Sequence, residues 1–483
     1  MGVPLLFTLW NLVACTPAAE VLGTADVRVD HTGTEKSDNT EALIPRTCMN
    51  DDGNVFVVWQ DDRDGTDGIW FNMSADGGLT FLGTDTRISH GEIGAYAPAI
   101  ACSGDRVYIA WEDKRDGEVG YENIYVQWSD DAGRSWQDDD LAIDNDIEGT
   151  AMSKGPHIAA AGDNAWVTWF DQINGAYDIF VNRTQNGGKD WIDAPVRVDA
   201  DEPGSAYSAS PQIQRNDVGN VVVVWEERRD GKSDIYVNAS IDNGESFSNE
   251  EQRLDEGDDP GSADSFSPKI AMAGENVYVV WHDERFGDNS DIMCNRSQSS
   301  GQTWKGEAFR IEADAEGIAD SRNPYVYAED NTVWVAYQDD RAVGYDIYLQ
   351  WSSDAGDTWT ETETRMDTDD NGQAQSYEPM IAINGKTWLV GWQDYRNDGE
   401  AVGFNDLYYN YSVDEGSTWQ AADIRINSNE PGTAFAVDAA INLFGDQVVT
   451  VWADGRFGVS DVFGANRDIG IASEWVAPEE TDS

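Results

Sequence analysis

The stretch Trp225-Glu-Glu227-Arg-Arg229-Asp-Gly231-Lys-Ser-Asp234-Ile-Tyr236, followed by Ser240-Ile-Asp242-Asn-Gly244-Glu-Ser246-Phe247, is one copy of a phrase that occurs eight times in this chain. Its leading aromatics are Trp59, Trp111, Trp169, Trp225, Trp281, Tyr337, Trp392 and Trp452, spaced 52 to 60 residues apart. That period belongs to propeller blades rather than to helical solenoids. Within this copy the runs 212–214, 221–225, 234–238 and 253–255 are short and β-rich, separated by Gly, Asn and Asp clusters. Each unit therefore supplies four strands.

The fourth strand carries an arginine before an apolar residue at Arg87, Arg197, Arg253, Arg310, Arg365 and Arg425, with Ala142 in its place once. The last unit, from Ala439 to Asn466, has no downstream fourth strand, whereas Arg28-Val29-Asp30 offers that pattern at the other end of the chain. Pairing the two closes a ring and removes exposed sheet edges. The reading is an all-β propeller of eight four-stranded blades, or seven if the terminal unit frays. Length alone would divide 483 residues into several domains. The repeat instead predicts one ring over 26–470, with 471–483 as an acidic tail.

Residues 1–14 read as an export signal: an apolar stretch from Val3 to Leu9 precedes Leu12-Val13-Ala14-Cys15, which resembles the lipobox of bacterial lipoproteins. The segment is too short to span a membrane. It predicts lipid modification at Cys15, a tether over 15–25, and an outer-membrane or cell-surface location in which the lipid makes the only membrane contact. Of the other cysteines, Cys48 and Cys102 lie in first strands of adjacent units, and Cys294 makes the number odd. Whether the first two pair is open, but at least one thiol stays outside any intramolecular bridge.

The chain has 91 acidic against 31 basic residues, a net charge of −60. Such a surface repels nucleic acid and anionic membrane. Cations, or neutral and basic ligands, suit it better, and solvation in a saline habitat accounts for the acidity without any partner.

Between the third and fourth strands run Ser74-Ala-Asp76-Gly-Gly78-Leu-Thr80-Phe81, Ser129 to Trp136, Ser240 to Phe247, Ser352 to Trp359 and Ser412 to Trp419, with weaker copies at Thr184 to Trp191 and Ser297 to Trp304. Here an Asp bonds the turn's own amides, a Gly takes positive φ, and an aromatic wedges between sheets. The pattern resembles the Asp-box repeat of sialidases and related β-propellers, from about Ala25 to Asn466. The resemblance implies a substrate carboxylate held by three arginines, a Tyr nucleophile activated by a Glu, and an Asp acid/base near Arg-Ile-Pro. Arg-Ile-Pro is absent, the nearest string being Ile44-Pro45-Arg46. Most arginines belong to the repeat; Arg46 and Arg322 are the funnel-facing exceptions, and Tyr377-Glu378 sets a nucleophile type beside a base type. Those four are the catalytic candidates.

The Ser-x-Asp-x-Gly turns lie on one face of such a ring, and the second-to-third-strand hairpins and blade connectors lie on the other, which is the candidate binding face. Its connectors repeat acidic residues at alternate positions before a Gly, and the copy at Asp367 completes D-x-[DN]-x-[DN]-G-x5-E. That spacing wraps a hard cation in oxygens. It predicts Ca2+ on Asp367, Asp369, Asn371, the Gln373 carbonyl and Glu378. Tyr96, Tyr207, Phe266, Tyr325, Tyr377 and Phe435 predict an aromatic collar at the channel mouth. His157 stands where other units place Arg46, Ala99, Gln212, Lys269, Tyr325 and Met380, so this inner ring varies while the blades do not. The four dispersed histidines indicate neither a zinc cluster nor a Ser-His-Asp arrangement.

These readings favour a glycan- or protein-binding module. A sialidase-like exo-glycosidase is the alternative, and an envelope scaffold the third.

Overall fold

The computed structural model describes residues 25–31, 41–115, 121–144, 151–342, 344–369, 374–397, 403–433, 435–456 and 460–469. Over these residues the protein is eight antiparallel four-stranded sheets, with no helix. Blade 4 shows the pattern: Ser208–Arg215, Val221–Glu227, Asp234–Ser240 and Gln252–Arg253 lie side by side in chain order. Blade 8 departs from it, because Ala436–Phe444, Gln447–Asp454 and Asp461–Asp468 are completed by Val27–Arg28. Val27 faces Gly464 and Arg28 faces Phe463. The count is eight, and the N-terminal strand closes the ring.

The core sits between the blades. Each phrase leader packs on the sheet before its own: Trp281 joins Val222, Val224 and Ile235 of blade 4. All the Trp leaders are fully buried, as is Tyr337. Burying one such side chain stabilises the fold by about 2–3 kcal/mol.

Each Trp leader donates its indole N–H to the carboxylate two residues on, and in blades 5 and 7 a full polar tetrad forms around it. Trp281 Nε1 donates to Asp283 at 2.9 Å, Arg285 donates to the same carboxylate at 2.6 and 2.8 Å, and Ser265 Oγ donates at 2.9 Å. Arginines of the phrase also reach a second carboxylate: Arg115 meets Asp140 at 2.6 Å and Arg396 meets Asp423 at 2.7 Å. In blade 8 that partner is Asp26, 2.8 Å from Arg456, so an ion pair of the phrase spans the closure. Phrase arginines are thus structural, as the repeat predicts.

The Ser-x-Asp-x-Gly turns hold themselves in the way the sequence predicts. Ser352 Oγ accepts from Gly356 N at 2.9 Å, and Asp354 accepts from Thr358 N and Oγ1 at 2.8 and 2.7 Å. Donation from the Thr358 amide and hydroxyl pulls the Asp354 carboxyl down to about 2.

Candidate functional site: the central channel

The first strands, Ala42–Met49, Ala95–Ser103, Ser153–Ala161, Ser208–Arg215, Ser265–Ala273, Ser321–Glu329, Ser376–Asn384 and Ala436–Phe444, pack against one another around the ring axis. Each is broken by a register shift at its third and fourth residues. The third residue takes positive φ in every blade: Ile44, Ala97, Gly155, Ser210, Ser267, Asn323, Glu378 and Asp438. A proline follows it in seven blades, and Ala439 follows in blade 8. An innermost edge strand tolerates a residue without N–H, and a bulge re-aims the neighbouring side chain. L-residues occupy this left-handed region sparingly, so the bulges are a site where strain is held by surrounding structure.

The bulge and the residue after the proline form the charged layer of the channel. Glu378 accepts from Gln393 Nε2 at 2.5 Å. Burial, then the neighbouring Asp438, raises its carboxyl, while Arg46 and Lys269 act in the opposite sense. Burial lowers both Arg46 and Lys269. His157 lies in the same layer, and burial followed by the charges of Lys269 and Arg46 brings its imidazole down to about 4. It is therefore neutral at pH 7, and its Nδ1 accepts from Ile213 N at 3.3 Å.

The catalytic candidates do not assemble as the sialidase resemblance implies. Tyr377 donates its hydroxyl to Gln375 at 3.0 Å, whereas Glu378 turns to Gln393. Arg322 is paired with Asp320 at 2.7 Å, while Arg46 is influenced by Asp438 and Glu378. The left-handed bulge between Tyr377 and the proline is what sends the adjacent side chains to different partners.

The calcium loop is divided in the same way. Asp367 and Asp369 gather with Asp346, and their oxygens lie within 4.8 Å of one another, a grouping that can hold a metal ion. Arg365 reaches all three at 3.0, 2.7 and 2.7 Å, so a guanidinium already supplies positive charge there. Glu378 belongs to the channel layer, not to this cluster; Asn371 and Gln373 lie outside the described residues, as does Cys15. Matching clusters form at Asp178, Asp199 and Asp201 around Arg197, and at Asp291, Glu312 and Asp314 around Arg310.

The collar forms two levels. Tyr96, Phe266 and Tyr377 are equivalent by repeat and each is engaged: Tyr96 by the Lys114 ammonium at 4.3 Å, Phe266 by His282 at 5.5 Å, and Tyr377 by Tyr345 and Tyr395 at 5.4 and 5.6 Å. Tyr207 and Phe435, one residue before their first strands, keep 46% and 44% of their surface exposed. Tyr325 follows Pro324 and stands in the inner ring instead. Phe286 and Ile318 are also exposed on this face, in a hairpin and a connector that the sequence did not single out.

At the opposite end the channel widens into a cavity of about 1140 Å³. Its wall includes Met49, Ile100, Ile158 and Met272, the Cys48–Cys102 disulfide between blades 1 and 2, and a rim with Asp217, Glu275, Glu329 and Asp330. This is the face of the Ser-x-Asp-x-Gly turns, since Ser300 N donates to Glu275 O at 2.8 Å and Ala355 N to Asn331 O at 2.8 Å. The sequence directed attention to the other face alone. Cys294 is a buried free thiol in blade 5, which burial holds well above the ordinary thiol range.

No family model matches the chain, and no curated protein matches it. Among solved structures, an α-L-arabinanase of Penicillium chrysogenum complexed with arabinobiose is 17% identical, with a TM-score of 0.40 over 70% of this chain and 99% of that one. A variant of the NanB sialidase from Streptococcus pneumoniae is 13% identical, with a TM-score of 0.39 over 93% of this chain and 99% of that one. The endosialidase of phage phi92 is 8% identical, with a TM-score of 0.43 over 96% of this chain and 71% of that one.

Proposed function

We propose that the protein is an exported propeller, lipid-anchored through Cys15, whose connector face binds a glycan. The observation that carries this reading is the pair of half-exposed rings, Tyr207 and Phe435, beside the mouth of a charged channel. Aromatic faces with polar groups alongside suit the mixed apolar and hydroxylated surface of a sugar. A glycan array on the soluble ring tests it: Tyr207→Ala and Phe435→Ala should each lower affinity about tenfold or more, the equivalent of at least about 1.4 kcal/mol. Unchanged binding by both variants would remove the collar from the site. In whole cells, Cys15→Ser should release the chain from the membrane fraction; retention there would refute the anchor.

Calcium has a place in this reading at the carboxylate clusters. Burial raises Asp199 to about 8 and Glu312 to about 9. Burial together with neighbouring carboxylates raises Asp367 to about 6 and Asp369 to about 7. A carboxyl whose pKa rises on folding holds its proton more tightly in the folded state. Its stabilising contribution is full below the unfolded value near 4 and is lost as pH climbs through 6 to 9. Thermal melts should therefore show a midpoint that falls across this window, and Ca2+ should raise it more at pH 9, where the proton has left, than at pH 5. A midpoint indifferent to Ca2+ at pH 9 rules out the cation.

A further inference from the structure

The cavity of about 1140 Å³ at the turn end of the channel has two unlike halves. Blades 1 to 3 supply an uncharged arc, with Met49, Ile100, Ile158, Ala159 and the Cys48–Cys102 disulfide. Blades 4 to 6 supply Asp217, Glu275, Glu329 and Asp330, and Met272 lies on the strand leading to Glu275. Arg215, the basic residue of this wall, is engaged locally: it donates to Asp217 at 2.9 Å and to the Ala160 carbonyl at 3.0 Å. Glu275, Glu329 and Asp330 are exposed to the opening and form no ion pair among the described residues.

Bonds between neighbouring blades fix this wall. Asn276 Nδ2 donates to the Asp330 carbonyl at 3.5 Å and to Asn331 Oδ1 at 3.4 Å, which ties together the hairpins that carry Glu275 and Glu329. Asn216 Nδ2 joins blade 4 to blade 5 at the Gly274 carbonyl, 3.1 Å away. On the apolar side, the Tyr108 hydroxyl donates to the Gly162 carbonyl at 3.1 Å between blades 2 and 3, and the disulfide links blades 1 and 2. Small-molecule sites are concave and largely pre-formed in this way, and the volume suffices for one. The adjacent carboxylates also crowd each other: burial, then the charge of Asp330, raises the Glu329 carboxyl.

We propose that this cavity binds an amphiphilic organic cation, its apolar body on the arc of blades 1 to 3 and its ammonium among Glu275, Glu329 and Asp330. An anion would meet unpaired carboxylates here. A bare metal ion would leave the apolar arc unused, and among the described residues the carboxylates close enough to share an ion belong to the connectors. A sugar finds no aromatic ring in this wall on which to stack. A cation with an apolar body satisfies both halves at once, and at a partly enclosed rim its attraction to the carboxylates exceeds the value in bulk water. The net charge of −60 draws such a ligand toward the opening. The site goes beyond the glycan reading, and lies at the other end of the ring from Tyr207 and Phe435.

Calorimetry on the intact ring tests this with butylamine, hexylamine and octylamine, all ammonium ions at pH 7, against octyl glucoside and octyl sulfate, each below its micelle-forming concentration. One equivalent of octylamine should bind, about tenfold or more tightly than either octyl control. Affinity should rise about twofold or more with each methylene, since the apolar arc takes up the chain. Glu329→Gln combined with Asp330→Asn, both at exposed positions, should weaken octylamine binding about tenfold. Asp51→Asn combined with Asp52→Asn takes the same charge from a hairpin outside the cavity and should leave the affinity unchanged. Met49→Gln should flatten the dependence on chain length. Equal losses in the two double variants, several equivalents bound per chain, or an affinity independent of chain length would reduce the effect to general attraction by an acidic surface and overturn the proposal. So would equal binding of octyl sulfate, or no binding of octylamine up to about 10 mM. The wild-type series of head groups and chain lengths decides the matter even where Met49→Gln fails to fold.

Discussion

Deletion of residues 25–31 is expected to drive the ring into larger assemblies. The segment supplies the fourth strand of blade 8, and its Val29 and Asp30 are fully buried. Asp30 accepts from Val462 N at 2.9 Å, and Asp26 meets both Arg456 and Arg467 at 2.8 Å. Without them the eight-residue strand Asp461–Asp468 becomes an open edge. The other blades end in two-residue strands, which give little template for further pairing. Removing one partner of a buried ion pair costs about 3–5 kcal/mol, and two arginines lose Asp26 here. Light scattering should find species larger than those of the intact chain, and a synthetic peptide of residues 25–31 should restore the original size. A truncated chain of unchanged size and melting midpoint would contradict closure by this strand.

The second large effect is expected at Asp394. Its carboxylate is fully buried and accepts from Trp392 Nε1 at 2.9 Å, from Arg396 N at 2.8 Å, from the Arg396 side chain at 2.9 and 2.5 Å, and from Ser376 Oγ at 3.2 Å. Asp394→Ala leaves an indole N–H, a hydroxyl and part of a guanidinium without their acceptor. Arg396 retains Asp423 at 2.7 Å, which places the loss near the lower end of about 3–5 kcal/mol. Asp394→Asn should lose less, since an amide oxygen still accepts. Asp414→Ala, in a turn at the surface, should cost less than either. Urea denaturation at constant m-value checks the order; similar midpoints for Asp394→Ala and Asp414→Ala would mean that the tetrad contributes no more than a turn.

The blades were legible because their chemistry is local and repeated. Trp, Asp and Arg of the phrase lie within five residues, and their bonds close inside one hairpin. The missing fourth strand of the last unit was legible for the same reason, since Arg28 carries the repeat's own mark. First strands were misjudged in extent: the sequence places the run of blade 4 at 212–214, whereas it begins at Ser208. Proline inside a run argues against a central strand and fits only an edge, a strand start or a bulge. Here the left-handed residue before Pro211 carries the strand past it.

The channel layer was only half legible. Position in the repeat identified Arg46, His157 and Lys269 as variable, but Glu226 was hidden inside a strand pattern and Asp438 inside a connector. Asp438 acts on Arg46 from the far end of the chain because the ring closes, which no spacing expresses. The Asp367 string shows the converse: its spacing matches a calcium loop, but the pairing of Arg365, two residues upstream, with Asp346, Asp367 and Asp369 is not written in that spacing.

The eight left-handed bulges make the ring a combinatorial device. Because the backbone turn is built at Ile44, Ala97, Gly155, Ser210, Ser267, Asn323, Glu378 and Asp438 alike, the side chain at each can be exchanged without redrawing the strand that carries it. Eight cassettes of one design then differ chiefly in the letter each presents to the axis. A change of ligand preference in this architecture requires rewriting a few letters, and transplanting one blade into another's place would move its letter around the circle.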